Sequence, residues 1–344
     1  MAYGLSEVDR YLNLVLAPIF IFTSFIGNAL AILVLKRKPF HSLPMSVYLT
    51  FLAVVDAGTV ISGLLPRFIL AATGYDVRSE TEFSCQSEIF IMYLFTQLSA
   101  WTLVIVTAER VISIIRPHKV KLVCTKNHSA VALLTTTALV ALTNIPIFFI
   151  FGKYSIPKRT RKYGDDSTPS SSNSTSSSRA CVIKDDGGRS KSAFFTTQFL
   201  KQCLLPFVII FVFNYIIIAG LVRRQKMMKR RSYETTLPDG SLQIRTKSGL
   251  KKVVSRRDAS LSVVLVIVNA VFLACTFPIG IYQQIMANIP ERGIDSPGHV
   301  ITYTVLVFIF YLNNSLNLVL YYVSGSRFRE ELRSLFYCRR LQDI

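Results

Sequence analysis

The sequence predicts an all-α membrane protein, a seven-transmembrane helix bundle with a C-terminal amphipathic juxtamembrane helix. Of its 344 residues, 51% are hydrophobic and only 17% are charged, a larger apolar share than one soluble core of this length uses. Apolar stretches of about 20 residues or more, long enough to cross roughly 30 Å of hydrocarbon, recur along the chain. The excess of apolar side chains therefore faces lipid.

The whole chain, residues 1–344, is interpreted as one domain. Prolines interrupt several apolar stretches, but neighbouring helices in a bundle satisfy the freed carbonyls, so we expect kinks. We expect no secretory signal before the first stretch and expect that stretch to act as its own insertion signal. The predicted spans are about 12–35, 46–70, 86–112, 127–151, 193–222, 259–287 and 298–323.

Charge predicts the orientation. Nearly all of the net charge of +19 lies in the segments 36–46, 113–128, 223–258 and 324–344, and the other connecting segments are close to neutral. Basic connectors stay in the cytosol, which places the N-terminus outside and the C-terminus inside a plasma-membrane protein that crosses the membrane several times. The basic face would also attract anionic membrane lipid. Because these residues lie between lipid-facing helices, the high pI does not indicate nucleic-acid binding.

Two modification sites follow from this topology. The external loop of about 152–192 contains the serine-rich run Ser167 to Ser178, and we expect this loop to be flexible. Within it, Asn173 begins a glycosylation sequon. After the last span, Phe328, Leu332 and Leu335 recur at helical spacing and predict an amphipathic helix over about 325–338 on the inner leaflet. Cys338 is a candidate for S-palmitoylation, and an unmodified thiol is the alternative.

Cysteines and buried polar residues supply further constraints. Of six cysteines, only Cys85 and Cys181 fall on the external side, where they could form a disulfide, and two unpaired thiols are the alternative. Polar residues at membrane depth are costly, so they indicate partners or a function. A carboxylate among amides and a hydroxyl suits a small hard cation, and a hydrogen-bonded node without an ion is the alternative. This polar group comprises Asn28, Asp56, Ser99, Asn313, Asn314 and Asn317.

The cytosolic ends of two spans carry opposite charges. Glu109 and Arg110 end the third span, and Asp258 begins the sixth at a similar level. An Arg110–Asp258 pair would hold the inner ends of these helices together, and breaking it would let them part. The alternative is that Arg110 only extends its charge to the membrane interface.

In this order and spacing the motifs resemble the rhodopsin family of G-protein-coupled receptors over nearly the whole chain. The matches are Gly27-Asn28, Leu52 to Asp56, Glu109-Arg110-Val111, Cys85 at 25 residues before Arg110, Pro206, Phe272 to Pro278, and Asn317 to Tyr321. The resemblance implies an outer ligand pocket, a sodium ion at Asp56 and Ser99 with no other cofactor, and binding of a heterotrimeric G protein, with arrestin as a further partner, at Arg110. The switch residues it implies are Glu109, Arg110, Asp258, Phe272, Thr276, Pro278 and Tyr321.

Three positions depart from the family pattern. Thr276 replaces the tryptophan of the sixth helix, Leu318 replaces the proline of the seventh, and Asn214 stands where a tyrosine is usual in the fifth. The fourth span also has no tryptophan. These departures leave the details of switching between states open.

The resemblance limits the classes of ligand that the chain could bind. Met92 stands where amine receptors of the family carry an aspartate, and the seventh span has no lysine for a retinal Schiff base. The chain looks most like invertebrate neuropeptide receptors, which implies an extracellular peptide ligand. By resemblance, the pocket is lined by Arg67, Met92, Tyr93, Thr96, Gln198, Gln202, Gln283, Tyr303 and Tyr311.

The charges at the pocket mouth have both signs. Arg67 and Lys201 could meet a carboxylate of the ligand, whereas Glu88 could meet an arginine. The alternative is that Lys201 reaches for the interface and the glutamines only bond to neighbouring helices. The sequence does not choose between these readings.

Three other functions are alternatives to a peptide receptor. A receptor of the same family for a lipid or small metabolite stays open. A transporter or channel would account for the polar group around Asp56, but no internal repeat is visible. No acid–base pair, metal set or Ser/His/Asp grouping can be assembled at one level of the bundle, so an enzyme is disfavoured.

Overall fold

The computed structural model describes residues 7–41, 43–116, 120, 124–157, 177–184, 189–234, 247–289, 297–324 and 326–337. Six helices in this part are individually long and apolar enough to cross a membrane, and the two halves of a bent helix form the seventh span. The predicted seven-helix bundle is confirmed.

Most of the helices extend beyond the predicted apolar stretches, because hydropathy detects only the part of a helix that lies in lipid. The fourth helix is the exception, since it ends at Asn144 rather than at the predicted residue 151. The helices are α1 (Glu7–Leu35), α2 (Pro44–Thr73), α3 (Glu82–Ile115), α4 (Lys126–Asn144), α5 (Arg189–Phe199, a π-helical turn at Leu200–Leu204, and Leu205–Glu234), α6 (Lys247–Asn288), α7 (Pro297–Ser315 and Asn317–Ser324) and α8 (Ser326–Tyr337). The described residues also form one-turn helices at Lys38–His41 and Ile147–Ile150 and a 3-10 helix at Val77–Ser79.

Helix ends carry the expected local signals. Pro44 opens α2, and Gly74 ends it with φ of +73°, a left-handed conformation that glycine adopts without strain. At the start of α3, the Thr81 hydroxyl accepts from the Ser84 amide while the Ser84 hydroxyl accepts from the Thr81 amide. This capping box satisfies amides that the helix itself leaves unpaired.

The prolines at which we expect kinks lie in three different backbone settings. Pro278 lies inside a continuous α6, whereas α4 is interrupted before Pro146 and resumes as the one-turn helix. In α5 the π-helical turn precedes Pro206, and the amide of Leu205 donates to the carbonyl of Leu200 five residues back. Such a turn shifts the bonding of nearby amides to carbonyls five residues back, and it thereby accommodates the hydrogen bond that the proline cannot make.

The bend in α7 arises without a proline. Its two halves meet at 46° around Leu316, although Leu318 occupies the family's proline position. The side chain of Asn28 donates to the carbonyl of Asn314 at 3.2 Å, an oxygen that a continuous helix would pair with the amide of residue 318. A side chain inserted into the backbone ladder is a recognised cause of helix bending.

The long external loop holds a structure that the sequence analysis did not predict. Strand β1 (Phe151–Pro157) pairs antiparallel with β2 (Ser177–Ile183), with Lys153 opposite Cys181. The expectation of a flexible loop is therefore wrong for its two ends, because backbone pairing and the anchoring of Cys181 order them. Asn173 lies outside the described residues.

Buried side chains form two main clusters along the bundle. The larger cluster packs the inner half, where Leu52, Leu103 and Phe272 meet, and it continues onto α8 through Phe328 and Leu332. A second cluster joins α1, α2 and α7 near the outer end. Many large apolar side chains point outward, including Leu134 and Phe22, as helices surrounded by lipid require. The amphipathic helix is confirmed as α8, whereas Cys338 lies outside the described residues.

Gly63 of α2 allows the ring of Tyr311 to pack directly against the helix backbone. A Cβ atom at this position would lie 1.7 Å from the Tyr311 hydroxyl oxygen and 2.4 Å from Cζ. Tyr311 is buried beside Phe310, so its ring has little room to move away. The α2–α7 contact therefore depends on glycine at position 63.

We expect Gly63→Ala to lower the free energy of unfolding by about 1–3 kcal/mol, the usual cost of overpacking. The measurement is thermal unfolding of detergent-purified protein. Gly27→Ala is the matched control, since its Cβ would lie at an ordinary contact distance of 3.5 Å from Leu318. Equal stability of the two variants would contradict the packing argument.

Candidate functional site

A carboxylate lies at the centre of the bundle. Asp56 is 1% exposed, and its Oδ1 accepts from Ser99 Oγ at 2.6 Å and from Asn314 Nδ2 at 2.7 Å. Its Oδ2 accepts from Asn317 Nδ2. Three helices, α2, α3 and α7, thus meet at one carboxylate, so a ligand that alters any of their positions alters this contact.

Two further predicted members of the polar group lie at the same depth. Asn28 bonds to Ser24 Oγ at 3.1 Å and to the Asn314 carbonyl rather than to Asp56, and Asn313 is buried on α7. Among the residues that the structure describes, several oxygens here have no hydrogen-bond partner: Asn28 Oδ1, Asn313 Oδ1, Asn314 Oδ1 and Tyr321 Oη. Buried oxygens without partners fit a hydrated cation, so the donor set suits sodium.

The outer end of the bundle presents charges and aromatic rings. Arg67 Nη2 donates to Tyr303 Oη at 3.2 Å, and its guanidinium carbon lies 5.2 Å from the ring centroid. The ring of Tyr282 lies 6.2 Å from that of Tyr303. Arg78, on the connector between α2 and α3, is bound by Asp76 Oδ1 at 2.9 Å; burial opposes its charge, but the bonds and charge of Asp76 raise its pKa overall.

The wall of this mouth is aromatic. Tyr93 of α3 packs edge-on against Phe194 of α5 at 5.4 Å between centroids, and Phe151 contacts the other side of Phe194 at 5.1 Å. Met92 packs against the same cluster, and the Thr96 hydroxyl donates to the Met92 carbonyl at 2.7 Å. Gln202 and Gln283 are half-buried on α5 and α6.

Two predicted pocket groups belong to a polar network between α3, α4 and α5. Gln198 bonds to Gln97, and Asn144 Nδ2 donates to Gln97 Oε1 at 2.8 Å. Lys201 Nζ donates to the Thr143 carbonyl at 3.1 Å and to Asn144 Oδ1 at 3.3 Å. Lys201 thus supplies a cation at the interrupted end of α4, a position where free carbonyls favour positive charge. Sequence analysis missed Gln97 and Asn144, although amides in apolar stretches are a usable signal.

At the cytosolic end, the arginine of the Glu-Arg-Val motif is buried. Arg110 Nη2 lies 2.7 Å from Met45 Sδ and 4.0 Å from a carboxylate oxygen of Glu109. Glu109 and Arg110 are each 8% exposed. Asp258 lies on a part of α6 whose side chains are outside the described residues, so the proposed Arg110–Asp258 pair stays a prediction. In this structure, Met45 of α2 covers Arg110.

Sequence analysis also missed an amide that joins three helices in the inner half of the bundle. Asn269 Nδ2 of α6 donates to Thr107 Oγ1 of α3 and to Asn214 Oδ1 of α5, each at 3.0 Å. Asn269 is fully buried. We call these three residues the inner amide latch.

The predicted disulfide is present at the outer end of α3. Cys85 and Cys181 are bonded, with 5.5 Å between their Cα atoms, which confirms this pairing. The bond attaches β2 to the outer end of α3 and so holds the hairpin over the pocket mouth.

The model of the 7 transmembrane receptor (rhodopsin family) matches residues 27–321 of the chain. The chain belongs to this family. It is therefore a G-protein-coupled receptor and not an enzyme. Among curated proteins it is similar to an allatostatin-A receptor of Bombyx mori, with 24% identity over 322 residues that cover 91% of this chain and 76% of the relative.

The receptor departs from its family at residues that the structure now places. Thr276 is buried where the tryptophan is usual, and its carbonyl accepts from Cys203 Sγ at 3.8 Å. Its hydroxyl has no hydrogen-bond partner within the described part of the chain. Asn214, in the tyrosine position, belongs to the inner amide latch. Phe272, one turn before Thr276, packs in the inner cluster, as does Tyr321 of α7, whose ring lies 5.6 Å from that of Phe328. Pro278 follows on α6.

Proposed function

We propose that this receptor binds an extracellular peptide and, in response, activates a heterotrimeric G protein at its cytosolic face. The observation that supports the peptide most directly is the similarity to an insect neuropeptide receptor over 91% of the chain. Met92 at the family's amine-binding position is consistent with it, because an ammonium would lack a carboxylate at that depth.

The mechanism we propose is a population shift between a closed and an open cytosolic face. In the closed form, Arg110 is buried beneath Met45, and the inner amide latch joins α6 to α3 and α5. A peptide that packs between α2, α3 and α7 at the mouth would act on the same helices that meet at Asp56. A ligand that prefers the open form by a few kcal/mol changes the active fraction strongly.

The orientation of the receptor in the membrane is also part of what we propose. We place the N-terminus outside and the C-terminus in the cytoplasm of a plasma-membrane receptor, because the positive charge is concentrated in alternate connectors. The cytosolic face would also bind arrestin, and its basic connectors would contact anionic lipid. Glycosylation at Asn173 and palmitoylation at Cys338 are consistent with this orientation.

The test is a screen of amidated neuropeptides on cells that express the receptor with a promiscuous G protein. We expect at least one peptide to raise signalling in transfected cells but not in untransfected ones. Activation only by a lipid or a small metabolite would overturn the peptide assignment. Ligand-dependent ion flux in liposomes, without any G-protein response in cells, would favour a transporter or channel.

We further propose that the polar group around Asp56 binds sodium. The partnerless oxygens of Asn28, Asn313 and Asn314 fit the ion, and its positive charge would stabilise the Asp56 carboxylate. Asp56 and Ser99 would hold it at the junction of α2, α3 and α7. Binding to one arrangement of these helices would favour that arrangement.

Replacing choline by sodium at constant ionic strength should raise the unfolding temperature of the purified receptor by about 2 °C or more. Asp56→Asn should remove this rise, because the amide lacks the charge. Asp9→Asn is a matched control, since Asp9 is a buried acid elsewhere in the bundle that accepts from Thr304. An equal response of wild type and Asp56→Asn would exclude a sodium site at Asp56.

A further inference from the structure

The contact at Asp56 also sets which residues face one another at the mouth of the bundle. Asp56, Ser99 and Asn314 meet in the polar core on α2, α3 and α7. Eleven residues are just over three helical turns, a rise of about 16 Å. A residue eleven positions outward on each helix therefore lies on the same face, near the outer end.

The three residues at that outer level are Arg67, Glu88 and Tyr303. We call them the mouth triad. A direct contact supports the expectation that α2 and α7 turn these residues toward each other, since Arg67 donates to the Tyr303 hydroxyl at 3.2 Å and lies over its ring. Glu88 lies within electrostatic range of Arg67, Arg78 and Tyr311, which places it on the side of α3 that faces α2 and α7.

The basic groups around the mouth triad already have partners. Arg67 is held by Tyr303, and Arg78 is bound through two nitrogens to Asp76, at 2.9 and 3.3 Å. Lys201, the other candidate for a ligand carboxylate, is turned toward α4. A carboxylate on the ligand would have to compete with these contacts.

Glu88 differs from these basic groups in its lack of a bonded partner among the described residues. Within the described part of the chain, its carboxylate makes no hydrogen bond and no ion pair within 4.0 Å. It is half-buried, one turn outward of Met92, so it lacks part of its hydration as well. Aromatic rings that favour a cation line the same mouth, notably those of Tyr303 and Tyr282.

We propose that Glu88 binds a basic group of the ligand, so that the ligand is a peptide with an arginine, a lysine or a free N-terminal ammonium. This inference rests on the proposed peptide function and names the charge of the group that enters the mouth triad. A guanidinium can pair with a carboxylate through two hydrogen bonds and stack on the neighbouring tyrosine. Arg67 makes its hydrogen bond to Tyr303, which leaves the carboxylate oxygens of Glu88 available to the ligand.

The experiment begins on the wild-type receptor. Each amidated peptide that activates it in the screen is remade with every basic group neutralised in turn, arginine as citrulline, lysine as norleucine and the N-terminus as its acetyl form. We expect one of these changes to lower potency by about 30-fold or more, the lower range for losing one partner of a desolvated charge pair. The measurement is the concentration for half-maximal signalling.

Variants then assign the loss to Glu88. Glu88→Gln should respond weakly to the basic peptide and should no longer distinguish it from its neutral form. Glu82→Gln is the matched control on the same helix, because Glu82 pairs with Lys184 at 3.2 Å at the exposed outer end of α3. It should behave as wild type. Surface expression is measured for each variant with an epitope tag.

The outcomes separate this inference from the function on which it rests. Active peptides that lack any basic group, or that lose no potency on neutralisation, would overturn the role of Glu88 while the peptide receptor stands. An equal penalty for neutralisation in wild type and Glu88→Gln would assign the basic group to another residue. A receptor that responds to no peptide would overturn both proposals.

Discussion

Arg110→Ala should abolish ligand-driven G-protein signalling at equal surface expression. The guanidinium is buried between Met45 and Glu109 at the cytosolic end of α3, where a charge is costly unless it has a use. Opening of the inner ends of the helices would release it toward the cytosol, where it can meet the G protein. Alanine removes every donor that this contact could use.

Arg116→Ala provides the matched control for this prediction. Arg116 carries the same charge and follows the last turn of α3, but its side chain is exposed. We expect it to signal nearly as the wild type does. The assay is nucleotide exchange on purified G protein with receptor in nanodiscs, activated by a peptide from the screen. Full exchange by Arg110→Ala would remove Arg110 from the mechanism.

Asn269→Leu should raise basal signalling about tenfold in the absence of ligand. Asn269 makes two hydrogen bonds that join α6 to α3 and α5, and each such bond contributes about 0.5–1.5 kcal/mol. A loss of roughly 1.4 kcal/mol from the closed form alone changes the ratio of closed to open receptor by a factor of about ten. Leucine keeps a similar volume, so packing changes little.

Thr107→Val and Asn214→Leu test the latch from its other two sides. Each removes one of the two hydrogen bonds of Asn269, so each should raise basal signalling less than Asn269→Leu does. Combined with Asn269→Leu, neither should add much, because the shared contact is already lost. Basal signalling at the wild-type level in all three single variants would show that the latch does not favour the closed form.

The architecture could be predicted from the sequence, because a helix that crosses the membrane must be apolar over the thickness of the bilayer. The length of an apolar stretch is therefore enough to identify such a helix. Seven apolar stretches predicted seven helices, and the spacing of Phe328 and Leu332 predicted α8. The cysteine pair could also be predicted, since only Cys85 and Cys181 fall on the external side. The β-hairpin could not, because its strands are ordered by pairing with each other and by attachment to α3, and neither influence shows as local periodicity.

At the candidate site, the sequence placed Asp56 among its polar partners but could not assign directions to individual side chains. Gln198 was expected in the pocket and Lys201 was a candidate partner for a ligand carboxylate, yet both join a network with Asn144. The interruption of α4 explains this, because its free carbonyl at Thr143 offers Lys201 an acceptor that a straight helix would not. Asn269 was overlooked because a lone amide in an apolar stretch does not reveal which helices it joins.

By itself, the sequence determined the membrane location, the number of helices and the family motifs, because burial of backbone in lipid and the spacing of residues along one helix are local properties of the chain. Only the tertiary structure decided that Arg67 donates to Tyr303, and that Asn28 rather than a proline accompanies the bend in α7. The physical reason is the same in both cases. A polar side chain chooses among acceptors within a few ångströms, and which acceptors those are depends on helices distant in sequence that packing brings together.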